Sequence, residues 1–133
     1  TWGGSMPLKT NELSKIVDVI APDGSEIRFL GEMTRASMVH CTLPPNRVSK
    51  AVCHKTIEEI WYFISGEGQV WRSFEGKEEV DLVTQGTCLT IPVGAHFQFR
   101  NTGLTPLHFI ISTMPPWPGA QEAELVPDYW QPD

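Results

Sequence analysis

No stretch of this 133-residue chain keeps apolar residues at helical spacing for about ten residues or more. Short runs that alternate apolar and polar side chains recur instead, each closed by glycine, proline or asparagine. The runs fall at 16–20, 26–31, 36–43, 48–54, 59–64, 69–74, 78–83, 87–91, 96–100 and 107–113. Between them stand turn signals such as Pro22-Asp23-Gly24, Pro44-Pro45-Asn46, Gly66-Glu67-Gly68, Gly76-Lys77 and Pro92-Val93-Gly94. Strands of this length at this spacing predict an all-β sandwich or barrel, with 16–20 and 26–31 as a hairpin. The pattern alone does not separate a jelly roll from other barrels. Residues 6–16 show no clear alternation and allow either a short helix from near Asn11 or an extended arm.

The length suits one domain with a real core. Thr1 to Ser5, ahead of Met6, are expected to be an expression remnant; 6–25 form an arm and a strand, 26–113 the barrel, and 114–133 a tail. That tail, MPPWPGAQEAELVPDYWQPD, is expected to run extended over the barrel, with one helical turn near 119–124. A net charge of −6 without a basic patch argues against a nucleic-acid partner. No apolar run reaches the roughly 18 residues that span a bilayer, so no membrane role is expected. Cys41, Cys53 and Cys88 are odd in number and dispersed, without CxxC spacing. They read as free thiols, each a small core residue, in a cytoplasmic setting.

Chemistry concentrates in His54–Gly68, HKTIEEIWYFISGEG. On a strand from Glu59, residues 59, 61 and 63 share one face, so Glu59, Trp61 and Phe63 point together, with His54 just upstream. A His and a Glu in a space walled by aromatic rings fit a metal site or an acid/base site. The alternative is an edge loop whose charges face water. Tyr62 would point the other way, and Glu58 would be a solvent-facing partner of Lys55. His40 could face the same pocket from its own strand, whereas His108, in an apolar strand, reads as structural.

His54, Glu59 and Gly66 resemble the second half of the first cupin motif, G-x5-H-x-H-x(3,4)-E-x6-G. Gly86, Pro92, Gly94 and Asn101 resemble the second, G-x5-P-x-G-x2-H-x3-N. The likeness covers about 26–113 and extends to small single-domain bacterial cupins with an EEIWY stretch and an MPPWPG tail. It implies a double-stranded β-helix, a jelly-roll barrel that is often dimeric; the Trp-rich tail and Tyr62 would supply apolar surface for a homodimer. The family's four metal ligands map to Val52, His54, Glu59 and Phe97. Two ligand positions are therefore apolar, and His96 stands one residue before the expected histidine. One residue flips a side chain across a strand, so either His96 or Phe97 faces the barrel.

Two functional readings follow, with a purely structural role, marked by a filled barrel with no cavity, behind them. In the first, a divalent metal (Zn, Fe, Mn or Ni) is held by His54, Glu59 and His96, leaving open positions for a small hydroxy acid, keto acid or sugar. Isomerase, lyase or dioxygenase chemistry would follow. Trp61, Phe63, Phe97, Val52, Gln98 and His40 would line the ligand pocket, with Arg100 on the same strand face as Gln98. In the second, no metal binds. Val52 and Phe97 make the pocket apolar, and a desolvated Glu59 with His54 binds a ligand or moves a proton.

Overall fold

The structure is a computed structural model that describes residues 8–133, so the expected remnant 1–5 lies outside the described part. Residues 8–16 hold neither helix nor strand, with bends at Leu8, Lys15 and Ile16. The strands are β1 (Val19–Ile20), β2 (Glu26–Glu32), β3 (Ser37–Leu43), β4 (Val52–His54), β5 (Glu58–Ser65), β6 (Gly68–Phe74), β7 (Lys77–Val83), β8 (Cys88–Ile91), β9 (His96–Asn101), β10 (Leu107–Met114) and β11 (Ala123–Leu125). A single 3-10 turn at Ala120–Glu122 meets the expected helical turn in the tail. The hairpin of β1 and β2 forms as expected, although β1 is shorter than the predicted 16–20. Likewise, the predicted 48–54 strand shrinks to β4, preceded by an isolated bridge from Val48 to Arg100.

Two antiparallel sheets make the barrel. One has the order β1-β2-β3-β10-β5-β8 and the other β11-β4-β9-β6-β7. This is the double-stranded β-helix that the two half-motifs imply. β5 alternates without a break from Glu58 to Phe63, burying Glu59, Trp61 and Phe63 and exposing Glu58, Ile60 and Tyr62. Trp61, Phe63, Phe97, Phe99 and Phe109 from both sheets fill the interior, all but excluded from solvent. Trp61 meets Phe97 and Phe99 edge-on at 5.3 and 5.4 Å between centroids, and Phe63 stacks on Phe109 at 4.6 Å. Edge-on and offset ring pairs are the favoured geometries and add to the burial energy.

Gly66 explains the tight β5–β6 turn. Its φ is +86°, and a Cβ there would lie 2.5 Å from the Pro106 carbonyl oxygen. Only glycine meets both demands without displacement. Asn101, the last residue of the second motif, pins the neighbouring loops. Its Nδ2 donates to the carbonyls of Leu43 and Thr105, both at 2.9 Å, and its Oδ1 accepts from Gly103 N at 2.8 Å.

The tail packs on the barrel. β11 adds to the free edge of β4, and Tyr129 stacks on Trp71 at 5.3 Å on the outer face of the five-stranded sheet. Gln98 on that face is fully buried beneath it. Its Nε2 donates to the carbonyls of Ser49 and Trp130, and its Oε1 accepts from Tyr129 N and Trp130 N, all at 2.8 Å. The amide thus uses its full bonding capacity. Among the cysteines, Cys41 is buried as expected, but Cys88 is exposed, because its side of β8 faces away from Leu89 and Ile91; all three are free thiols.

Gln98→Ala leaves two carbonyls and two N–H groups under the tail without their partner. The expected loss is about 2–4 kcal/mol in urea unfolding, with faster hydrogen exchange at the Tyr129 and Trp130 amides than at the β6–β9 ladder. Unchanged exchange at those two amides would contradict the clamp.

Candidate functional site

β4 and β5 bring His54 and Glu59 together at one end of the interior. His54 ends β4 on the inward side, two residues after buried Val52, and Glu59 is the first inward residue of β5. His54 Nδ1 lies 3.9 Å from Glu59 Oε1, and both side chains are buried. That separation exceeds a hydrogen bond, and His54 Nδ1 has no hydrogen-bond partner among the described residues. Glu59 has two: Trp61 Nε1 donates to Oε1 and Thr113 Oγ1 donates to Oε2, each at 2.9 Å. Phe97 meets the His54 ring at 5.1 Å from one side, and Trp117 of the tail meets it edge-on at 5.5 Å.

Burial dominates the electrostatics of the pair. It raises the Glu59 pKa to about 7, against the opposing pull of the Trp61 and Thr113 hydrogen bonds, with Asp23 and Glu122 adding a smaller push upward. Burial also lowers the His54 pKa to about 4, against a weaker raising effect of Glu122. Near neutral pH, His54 is therefore an uncharged imidazole and Glu59 stands close to half-protonated. A neutral carboxyl can donate a proton and its carboxylate can take one back, which is the requirement for acid/base work at pH 7.

Two supporting residues carry no strong signal in the sequence. Glu122, in the tail's 3-10 turn, accepts from Thr56 N, Thr56 Oγ1 and Ile57 N, and so fixes the β4–β5 loop that sets the spacing of His54 and Glu59. Burial alone would raise its pKa, but these hydrogen bonds, aided by His54, hold it below the usual value. Trp117 closes over His54, and its backbone N donates to Ser37 Oγ at 3.1 Å. The MPPWPG stretch marks an unusual segment, but nothing local in it says which side chain it covers.

Several expected site residues lie elsewhere. Phe97, not His96, faces inward. Phe97 pairs with Val52 across the β4–β9 ladder and is 1% exposed, while His96 pairs with Cys53 on the outer side. The Pro92–Ala95 turn therefore keeps the family's spacing, and strand alternation does the rest. Gln98, on the same outward face as His96, holds the tail and does not line a pocket; Arg100 beside it bonds Gln69 and stacks on Trp130. His40 also faces outward, because β3 turns Cys41 and Leu43 into the core. Trp61, Phe63, Val52 and Phe97 are packed into the hydrophobic core, and the clefts at His40 and at Arg72 are lined by other residues. Glu58 is exposed as expected, but Lys55 approaches Glu124 of the tail at 3.6 Å instead. His108 faces outward beside His40, its Nδ1 lying 3.0 Å from Thr42 Oγ1.

The donor set does not fit a three-ligand metal centre. Val52 and Phe97 offer carbon at two ligand positions, His96 is turned away, and no group of three or more His, Cys, Asp or Glu among the described residues could hold an ion. The unpartnered Nδ1 of His54 leaves at most a two-donor site with Glu59.

Comparison with known proteins bears on the fold. The model of the cupin domain matches residues 39–113. An uncharacterised protein of Methanocaldococcus jannaschii is 30% identical over 120 residues, which cover 85% of this chain and 91% of that one. A Klebsiella pneumoniae protein with a double-stranded β-helix domain superposes with a TM-score of 0.65 at 18% identity, over 78% of this chain and 85% of its own. Oxalate decarboxylase of Bacillus subtilis, studied for its Mn(II) centres, superposes with a TM-score of 0.61 at 17% identity, over 70% of this chain and 26% of its own. At such identities the structural matches speak for the fold.

The raised Glu59 pKa has a definite sign in stability. Glu59 is favoured neutral in the folded chain, so its contribution is full below the ordinary value of 4.5 and is lost as pH rises through about 7. His54 acts oppositely, losing its contribution as pH falls from 6.5 toward about 4. Comparison with Glu59→Gln isolates the first effect. The variant should gain on the wild type by up to about 3 kcal/mol between pH 4.5 and 8 in urea unfolding. A difference that stays constant with pH would contradict the raised pKa.

Proposed function

This chain belongs to the cupin family, and we propose that it works without a metal, using Glu59 as general acid/base and His54 as its neutral partner on a small polar molecule. The single observation that carries this reading is a buried carboxyl 3.9 Å from a buried imidazole nitrogen that has no hydrogen-bond partner among the described residues, a setting in which burial pushes the carboxyl up and keeps the imidazole neutral. Glu59, as the acid, would protonate an oxygen of the bound molecule; as the carboxylate, it would remove a proton from carbon. The packing around His54 would have to open, because its Nδ1 is sealed from solvent; it would then accept a hydrogen bond from a substrate hydroxyl. Trp61 and Thr113 would hold the carboxyl in place as its charge changes, and Trp117 would exclude water once the molecule is seated. Small hydroxy acids, keto acids and sugars fit this chemistry, because each carries an oxygen next to an acidic or transferable proton. The apolar side chains at two of the family's ligand positions favour this reading over a metal-dependent one.

A homodimer belongs to the same reading. Met38, Ile60 and Tyr62 stand exposed on the outer face of the six-stranded sheet, an apolar surface that a second copy could cover.

The test is proton exchange at carbon. In D2O, with pyruvate and glyceraldehyde as probes, proton NMR should show deuterium entering the carbon next to the carbonyl above the buffer rate. The exchange should survive EDTA and fall at least about a hundredfold in Glu59→Gln. No exchange with either probe, or exchange abolished by EDTA, would contradict the proposal. Elemental analysis of protein purified without chelator or nickel resin should give well under one equivalent of transition metal.

A further inference from the structure

The face of the six-stranded sheet that turns away from the aromatic interior carries a second, unrelated cluster. In register across it lie Arg28 of β2, His40 of β3 and Ile110 of β10, with Glu26, Thr42 and His108 in the next row. The His40 and His108 rings are 5.2 Å apart. His108 Nδ1 is engaged with Thr42 Oγ1, but His40, 7% exposed, keeps a buried Nδ1 with no hydrogen-bond partner among the described residues.

The N-terminal arm turns this cluster into a cleft. Arg28 Nε donates to the Ser14 carbonyl at 2.9 Å and Nη2 reaches the Lys15 carbonyl at 3.4 Å, which holds the arm beside the sheet. Between arm and sheet lies an open cleft of about 440 Å³, lined by Leu13, Lys15, Arg28, His40, Ile64 and His108, with Ser65 at its side. None of the ion pairs of the described residues involves Arg28. The cleft thus sets a guanidinium and two imidazoles against an apolar wall, with exposed Lys15 also lining it.

We propose that this cleft is a second ligand site, which takes a small organic anion. Its carboxylate lies against Arg28 and the two imidazoles, and its short apolar body lies against Leu13 and Ile64. The charges facing the cluster decide the sign of the ligand. Arg28 on β2 and Lys15 on the arm are positive, Glu26 on β2 is the one carboxylate acting on His108, and β5 contributes the uncharged Ser65 and Ile64. Burial is the main resistance to protonation of both rings; His108 and then Arg28 add to it at His40, and Arg28 adds to it at His108. A bound cation would add to that resistance, whereas a carboxylate relieves it and offers an acceptor to a protonated ring. Binding therefore strengthens as pH falls. The site lies on the opposite side of the sheet from Glu59, so it stands or falls independently of the acid/base reading.

The test is NMR titration of the histidine ring protons with hexanoate, with hexylammonium as the control of opposite charge. Hexanoate should saturably raise the pKa values of His40 and His108 by about one pH unit, leave His96 unmoved, and bind about tenfold more tightly at pH 5.5 than at pH 7.5. Arg28→Gln should abolish the effect. Leu13→Asp, a change on the half-exposed arm, should weaken hexanoate at least tenfold while leaving the His54 and His96 signals in place as a control for folding. The absence of saturable movement, an equal response to hexylammonium, or unweakened binding in Leu13→Asp would overturn the proposal.

Discussion

The local constraint on which the candidate site depends is a carboxyl group held in a dry interior by two hydrogen bonds. Glu59 sits where the alternation of β5 would otherwise place an apolar side chain, next to Ile91 across the β5–β8 ladder. Each of its oxygens accepts one hydrogen bond, from Trp61 and from Thr113. Those two bonds satisfy the group without making its ionised form cheap, because the aromatic rings around it supply no further donors. Burial then wins and keeps the proton on. The pKa of Glu59 is thus a consequence of how Trp61, Phe97 and their neighbours pack.

The C-terminal tail completes the barrel in three places. Gln98 fixes its end on the outer face, β11 covers the edge of β4, and Trp117 and Glu122 act on the site itself. An uncovered β4 edge would leave a row of unpaired backbone groups beside His54. Stability and site geometry are therefore joined through this segment: the same residues that cover the sheet also hold the loop between His54 and Glu59.

Much of this was legible in the sequence because strand alternation is a local property. The run from Glu58 to Ser65 announces its own inward face, and the glycines and prolines mark the turns. What failed was parity after a turn. His96 or Phe97 could face inward according to one residue of the Pro92–Ala95 turn, and the register of β9 against β4 settles it for Phe97. His40 was ambiguous because apolar residues flank it on both sides, so neither face of β3 reads as polar. The positions of Gln98 and Glu122 depend on a tail that returns from far along the chain, and no local pattern encodes that return. β11 has three residues and owes its pairing to the same return.

The most direct measurement is the titration of the Glu59 side-chain carboxyl by carbon-13 NMR, with Glu59→Gln used to assign the resonance. The account predicts a midpoint near 7, well above the ordinary value of 4.5. A midpoint between about 4 and 5 would mean that water or an unrecognised donor reaches the carboxyl, and would contradict the claim that the barrel keeps it dry.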